Sequence, residues 1–441
     1  MRGFLRVGAS CALLALPVIA QSPTDIAVLK GLAPITALPN TEAGQAALGA
    51  NYTMTGGIQT GAIAQPTLLP FAGQQQQALR DAFIANIDLA DLCDGLGTTL
   101  GAAYLSRAHY IDREHSTSVS PAVANVIERA YNTTSANATS AKYFFANATT
   151  DGAAPVSAEA MAILKTVGGT TDVYGKSYGL PAGSPGADTY GNSRPFQTEP
   201  NVTRFFGFDY FNSPADNFVY NRGPIMNLIN SPSFPSGHTT YGYTGALLLA
   251  VLVPERYPQM VARGAEYGND RILMGAHYSM DIIGGRTLAL YDMAHLLAND
   301  RAYVGQDDFQ AAVKKARAEL VSFLRTACGN TIEVCAKEDT GRLSNPAANE
   351  AFYAATQTYD LPVMYPKNAG VLEDVGKLAP EAGYLLTLAF PSLTLEQVDR
   401  ILTETEGPGG GFLDDGLPFG VYSRLNLYAA ARRASQVVAG K

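Results

Sequence analysis

Two of the chain's five histidines fall in segments whose neighbours could make them chemically active. The first is Pro235-Ser236-Gly237-His238, a Pro/Ser/Gly turn directly ahead of an apolar run that reads as a helix. A helix start leaves backbone N–H groups without intrahelical partners and carries the positive end of the helix dipole, so such a turn favours an anion. Gly237 lets the backbone approach that anion, Ser236 adds a hydroxyl donor, and His238 can deliver a proton to a departing oxygen. The second segment runs from Arg271 to His277 and Asp281. A carboxylate four residues after a histidine can accept the Nδ1 proton on a helical path, which leaves Nε2 unprotonated and nucleophilic. Arg271 and, far upstream, Arg194 of Ser193-Arg194-Pro195 each bring a guanidinium whose fork matches phosphate oxygens.

Each piece alone has a plainer reading: an ordinary N-cap with a surface histidine, or an arginine in a surface salt bridge. A metal site is the sharper rival, because two histidines and a carboxylate are the ligand set of a non-haem iron centre and resemble a zinc site. Two arginines aimed at one point would repel a cation, however, and the Pro-Ser-Gly turn offers donors where a metal needs acceptors. The reading favoured is an anion site without a metal.

Helices must position these groups. His238 to Val253, Gln259 to Gly275 and Asp281 to Leu297 read as three consecutive buried helices. Leu79, Phe83 and Ile87, then Leu96, Leu100 and Tyr104, recur every four residues, and Ala158 to Val167 offers a short helix. Phe309, Val313, Ala316, Leu320, Phe323 and Leu324 make a strongly amphipathic one. Strand alternation is scarce, so the predicted fold class is all-α, a helical bundle core with long loops. Residues 21–70, rich in Gly, Ala, Thr and Pro, read as an extended N-terminal arm laid over a helical domain of 71–330. A helical extension, 331–441, follows, with a helix from Leu393 to Glu406, a Gly407–Gly411 hinge and a last helix near Ser423 to Ala434. Between Gly168 and Pro235 a segment crowded with aromatics and turn residues reads as a loop system, part of it roofing the site.

Arg-Pro, then Pro-Ser-Gly-His, then Arg-x5-His-x3-Asp, in that order over about 90 residues from Ser193 to Asp281, resembles the type 2 phosphatidic acid phosphatase superfamily. That superfamily also contains class A acid phosphatases and vanadium-dependent haloperoxidases. The resemblance implies a helical bundle and a division of roles. His277 would attack phosphorus to form a phosphohistidine, Asp281 would orient it, and His238 would protonate the leaving group. Arg194, Arg271, Ser236 and the Gly237 amide would hold the phosphoryl oxygens. Two positions depart from the pattern. The family usually has a lysine seven residues before the Arg of Arg-Pro, where this chain has Ala187, so Lys176, the nearest lysine upstream, becomes the candidate for that charge. Asp270 stands where Ser commonly precedes the second arginine.

The implied function is a phosphatase acting on a small-molecule phosphate ester without a cofactor. The alternatives are a haloperoxidase using vanadate and a non-catalytic phosphate-binding protein. Arg2 and Arg6 ahead of the apolar stretch Val7 to Ala20 read as a signal peptide, residues 1–20, which predicts a secreted or periplasmic protein. Its removal takes two of 31 basic residues against 39 acidic ones and moves the formal charge from −8 to about −10, with no basic face for nucleic acid. The longest later apolar run, Thr244 to Val253, is shorter than the ~20 residues a membrane crossing needs. Of the remaining cysteines, Cys328 and Cys335 could close a short loop and leave Cys93 free. Asn51, Asn132, Asn137, Asn147 and Asn201 each begin an Asn-x-Ser/Thr sequon. Oligomeric state and substrate identity are not encoded in these patterns.

Overall fold

The computed structural model describes residues 22–82, 88–145, 162, 163, 166, 192–199, 201–220, 227–229 and 231–440. The architecture is all-α. Among the described residues the α-helices of eight residues or more are α1 (Pro23–Leu32), α2 (Glu42–Thr60), α3 (Phe71–Arg80), α4 (Thr98–Leu105), α5 (Pro121–Phe144) and α6 (Gly237–Leu252). They continue with α7 (Tyr257–Leu273), α8 (Ser279–Leu297), α9 (Phe309–Cys328), α10 (Pro346–Thr358), α11 (Leu395–Glu404) and α12 (Leu427–Ala439). Among the described residues the one sheet is a hairpin of β1 (Phe206–Phe208) and β2 (Pro214–Asp216), antiparallel with Phe206 opposite Asp216.

At the centre α6 packs on α7 and α8, with α5 against both α6 and α8. The α6 sequence is apolar on every side, which suits a helix enclosed all round. The more polar α7 is buried as completely because its charges are paired. Arg263 grips both carboxylate oxygens of Asp81 at 2.6 and 2.7 Å, and Arg342 holds both oxygens of Glu266 at 2.6 Å. Bidentate pairing offsets the desolvation of charges this deep. At Gly285 a Cβ would lie 2.4 Å from the Ser236 carbonyl oxygen. The missing side chain therefore lets α8 press directly on the turn that begins α6.

Residues 22–60 hold α1 and α2 and are not an extended arm. Their Gly- and Ala-rich sequence has little apolar periodicity, but Ser22 and Thr41 cap the two helices and tertiary burial supplies the rest. This segment also supports α8: Asn51 Oδ1 accepts from Ser279 Oγ and Met280 N at 2.8 and 2.9 Å, and Thr55 Oγ1 accepts from Ser279 N at 3.0 Å. Those N–H groups belong to the unpaired first turn of the helix that carries Asp281. Asn51 and Asn137 are consequently interior, so two of the sequons lie inside the fold, whereas Asn132 and Asn201 are exposed and Asn147 lies outside the described residues.

In the C-terminal extension α10 and α12 both pack on α7. The glycine run read as a hinge is instead tied in place. Gly407 N donates to Arg424 O at 2.8 Å, and Gly410 O accepts from Met364 N and Tyr365 N at 2.6 and 2.9 Å. Cys328 and Cys335 form a disulfide and Cys93 is free and buried. The signal-peptide residues 1–20 lie outside the described residues, as do residues 168–191, 200, 221–226 and 230 of the Gly168–Pro235 loop system and most of the short helix read at Ala158 to Val167.

Several buried carboxyls are pushed up by burial, among them Asp292 to about 8 despite hydrogen bonds from Asn137 and Tyr303. A raised carboxyl contributes stability below its unfolded value near 3.8 and loses it as pH rises toward 8. Asp292→Asn keeps the acceptor for both donors and cannot ionise. The variant should be more stable than the wild type at pH 8, by on the order of 2 kcal/mol or more and with a higher thermal midpoint, and the advantage should vanish at pH 4. Equal shifts at the two pH values would contradict this account.

Candidate active site

His277 sits in the connection between α7 and α8. Gly275, at φ +70°, reverses the chain, and the Ala276 and His277 amides fold back onto the Arg271 carbonyl at 3.0 and 3.2 Å. Asp281 lies in the first turn of α8, where its Oδ2 accepts from Tyr278 N at 2.8 Å and faces His277 Nδ1 at 3.1 Å. Both side chains are fully buried. Arg194 Nη1 stands 2.8 Å from His277 Nε2. A guanidinium can only donate, so Nε2 is the acceptor and the ring proton resides on Nδ1, toward Asp281. That is the tautomer a nucleophilic imidazole requires.

His238, on the first turn of α6, faces this ring edge-on with centroids 5.8 Å apart. Ser236 caps α6: its Oγ accepts from Thr239 N at 3.1 Å and Thr239 Oγ1 at 2.9 Å, so its own hydroxyl proton can be donated. Asp281 O also accepts from Ser236 N at 3.0 Å, which locks the two motifs together. Asn192 holds the same turn by its amide, donating to Phe234 O at 2.8 Å and accepting from Phe234 N at 2.9 Å.

Cations gather around the pair. Arg194 is anchored by the carbonyls of Ser231, Ala276 and Pro232 at 2.8, 2.9 and 3.0 Å. Arg271 lies over the Tyr267 ring at 4.9 Å, and its buried Nε has no partner among the described residues. A third cation was not among the sequence candidates. Lys142, near the end of α5 and 8% exposed, reaches Ser231 Oγ at 3.4 Å, and its Nζ lies 3.2 Å from where a Cβ on Gly237 would stand. Lys176 and Ala187 lie outside the described residues. Lys142 is thus a second candidate for the charge sought from Lys176. A signal for it existed: Val126, Ala130, Thr134 and Ala138 are buried at every fourth residue of α5, and Lys142 continues that row.

This crowding governs protonation. Burial, then Arg271, Lys142 and Arg194, drives His238 well below the usual histidine range. Burial, then Arg194, Lys142, His238 and Arg271, does the same to His277. Lys142 falls well below its ordinary value through burial and the proximity of Arg194, partly opposed by Asp281. Such a site gains most from an anion, which offsets all three effects at once. Asp270 turns to Asp81 instead: burial, with Asp81 and Glu266 adding, raises its carboxyl far above the ordinary range. Among the described residues no group of three His, Cys, Asp or Glu converges to hold a metal, and no helix is long and apolar enough to cross a membrane.

Residues 180–299 match the PAP2 superfamily. An acid phosphatase of Zymomonas mobilis is 39% identical over 88 residues, which cover 20% of this chain and 31% of that protein. A non-specific acid phosphatase of Salmonella typhimurium is 38% identical over 88 residues, 20% of this chain and 32% of the relative. One of Providencia stuartii is 34% identical over 92 residues, 21% and 34% respectively. The chain thus spans about a third of the length of the curated relatives it matches.

Proposed function

We propose, from the premise that residues 180–299 make this chain a member of the PAP2 superfamily, that it is an exported, metal-independent phosphatase of small phosphate monoesters. The observation that carries the reading is the placement of His277, its Nε2 2.8 Å from the Arg194 guanidinium and its ring faced by His238, with Arg271 and Lys142 adding positive charge. In the first step Nε2 attacks phosphorus, the N–P bond forms, the ester P–O bond breaks, and the departing oxygen takes the His238 proton. In the second, neutral His238 accepts a proton from water, the hydroxide oxygen bonds to phosphorus, and the N–P bond breaks to release phosphate. Arg194, Arg271, Lys142, Ser236 and the Gly237 amide stabilise the charge on the equatorial oxygens in both steps. The disulfide fits an oxidising compartment, in keeping with residues 1–20 as an export signal.

The pH dependence follows from the charges. His238 must carry its proton to act as acid, yet in the free site it is held neutral well below its ordinary 6.5. The alkaline limb of kcat/KM should therefore fall below pH 6.5, and that of kcat, where the bound phosphoryl offsets the cations, should lie higher. A kcat/KM profile that is flat from pH 5 to 8 would contradict the role of His238.

The test of the function is phosphate release from p-nitrophenyl phosphate with excess chelator, beside a bromide-oxidation assay with vanadate and peroxide. Phosphate release without bromide oxidation is expected. Lys142 would serve phosphate transfer and peroxide chemistry alike, so the bromide arm separates the phosphatase from the haloperoxidase.

A further inference from the structure

Ser233 carries none of the roles assigned above, yet it is fully buried at the contact between the two motifs. Its Oγ lies 2.5 Å from Asp281 Oδ2 and 3.3 Å from His277 Nδ1. Asp281 in its ionised form is acceptor-only, so Ser233 must be the donor in the short contact. Oδ2 then receives three donors: Ser233 Oγ, Tyr278 N at 2.8 Å and His277 Nδ1 at 3.1 Å. The serine is itself fixed, because its backbone N donates to Asn192 O at 2.8 Å while the Asn192 amide clamps the next residue.

We propose that Ser233 is the positioning residue of the nucleophile: its hydroxyl holds Asp281 ionised and aimed at Nδ1, so that Nε2 of His277 stays unprotonated and in line with the phosphorus. The inference rests on the phosphatase reading for its kinetic consequences. A hydrogen bond to the charged form of a carboxyl favours that form. Without Ser233, Oδ2 loses its shortest donor, Asp281 takes up a proton at higher pH, and the imidazole loses its negative partner. The other charged and titratable groups facing the pair are Arg194, Lys142, His238 and Arg271, all unchanged by substitution at 233. They stabilise an ionised Asp281, so the loss should appear as a moved pH limb with the fold intact.

Ser233→Thr and Ser233→Val give the cleanest comparison, since they differ only by a hydroxyl against a methyl. The valine variant should lose about tenfold or more in kcat with KM within about threefold, and the acid limb of its kcat profile should move up by about one pH unit. The threonine variant should retain the wild-type limb. Selective ¹⁵N-histidine labelling supplies a readout independent of turnover. The downfield Nδ1 proton of His277, assigned by its loss in His277→Ala, should disappear at a pH about one unit higher in Ser233→Val than in Ser233→Thr. In the wild type it should persist to about pH 4 or lower, which tests the proposal even if neither variant folds. Coincident titrations of the two variants, or a wild-type resonance lost by pH 5, would overturn the role of Ser233. Absence of turnover in the wild type with the resonance behaving as expected would instead overturn the phosphatase reading.

Discussion

His277→Ala is expected to lower kcat for p-nitrophenyl phosphate by about 10⁴-fold or more, the scale seen when a covalent nucleophile is removed and only binding and charge stabilisation remain. The effect belongs in kcat, because Arg194, Arg271, Lys142 and the α6 N-terminus survive to hold the substrate. Inorganic phosphate should accordingly inhibit or bind the variant with an affinity within about tenfold of the wild type's. Arg194 keeps its three carbonyl anchors without His277, so the phosphoryl clamp should survive the substitution. Turnover within a hundredfold of the wild type's would remove His277 from the chemistry.

Lys142→Met should separate activity from stability. Removing one cation from a transferring phosphoryl group costs about 10²–10³ in rate, so kcat/KM should fall by that factor. Stability should move the other way. Lys142 is charged when unfolded and is driven well below its ordinary value in the fold, chiefly by burial and Arg194. A lysine lowered on folding opposes stability at pH values below its unfolded value. The methionine variant, similar in length and uncharged, should therefore melt no lower than the wild type at pH 5 to 7. A variant with unchanged kcat/KM would show that Lys142 does not contact the phosphoryl group.

The central helices and the pairing of His277 with Asp281 were legible because each carries a local signal. A continuous apolar run marks α6, a capping turn precedes it, and His277 and Asp281 declare their pairing by spacing alone. The placement of Arg194 could not be read this way. Its guanidinium is held by backbone carbonyls of residues 231, 232 and 276, contacts that leave no imprint on side-chain types. The helix α5 was missed because Asn, Thr, Ser and Ala fill it and offer little apolar contrast, although Ser120 as N-cap and Pro121 at the first position announce its start. Lys142 stands on this helix, far from Arg194 in sequence, so no spacing links the two as it does Lys176 and Arg194. Ser233 carries no local signal because its contacts form only when His277 and Asp281, 44 and 48 residues further on, close on it. Likewise α2 looked like an arm because its value lies in Asn51 and Thr55 meeting α8, more than two hundred residues away.

The account turns on a covalent bond from His277 to phosphorus. Rapid acid-free quenching of wild-type enzyme during turnover of a phosphate monoester, followed by peptide mass spectrometry under alkaline conditions, reads that bond directly. The expected result is a phosphate on the peptide containing His277, stable to base, labile to acid, absent in His277→Ala, and enriched in His238→Ala with an ester whose leaving group departs without protonation, because loss of the base that activates water holds back hydrolysis. Full turnover by the wild type with no phosphorylated His277 at any quench time, in either the wild type or His238→Ala, would contradict it.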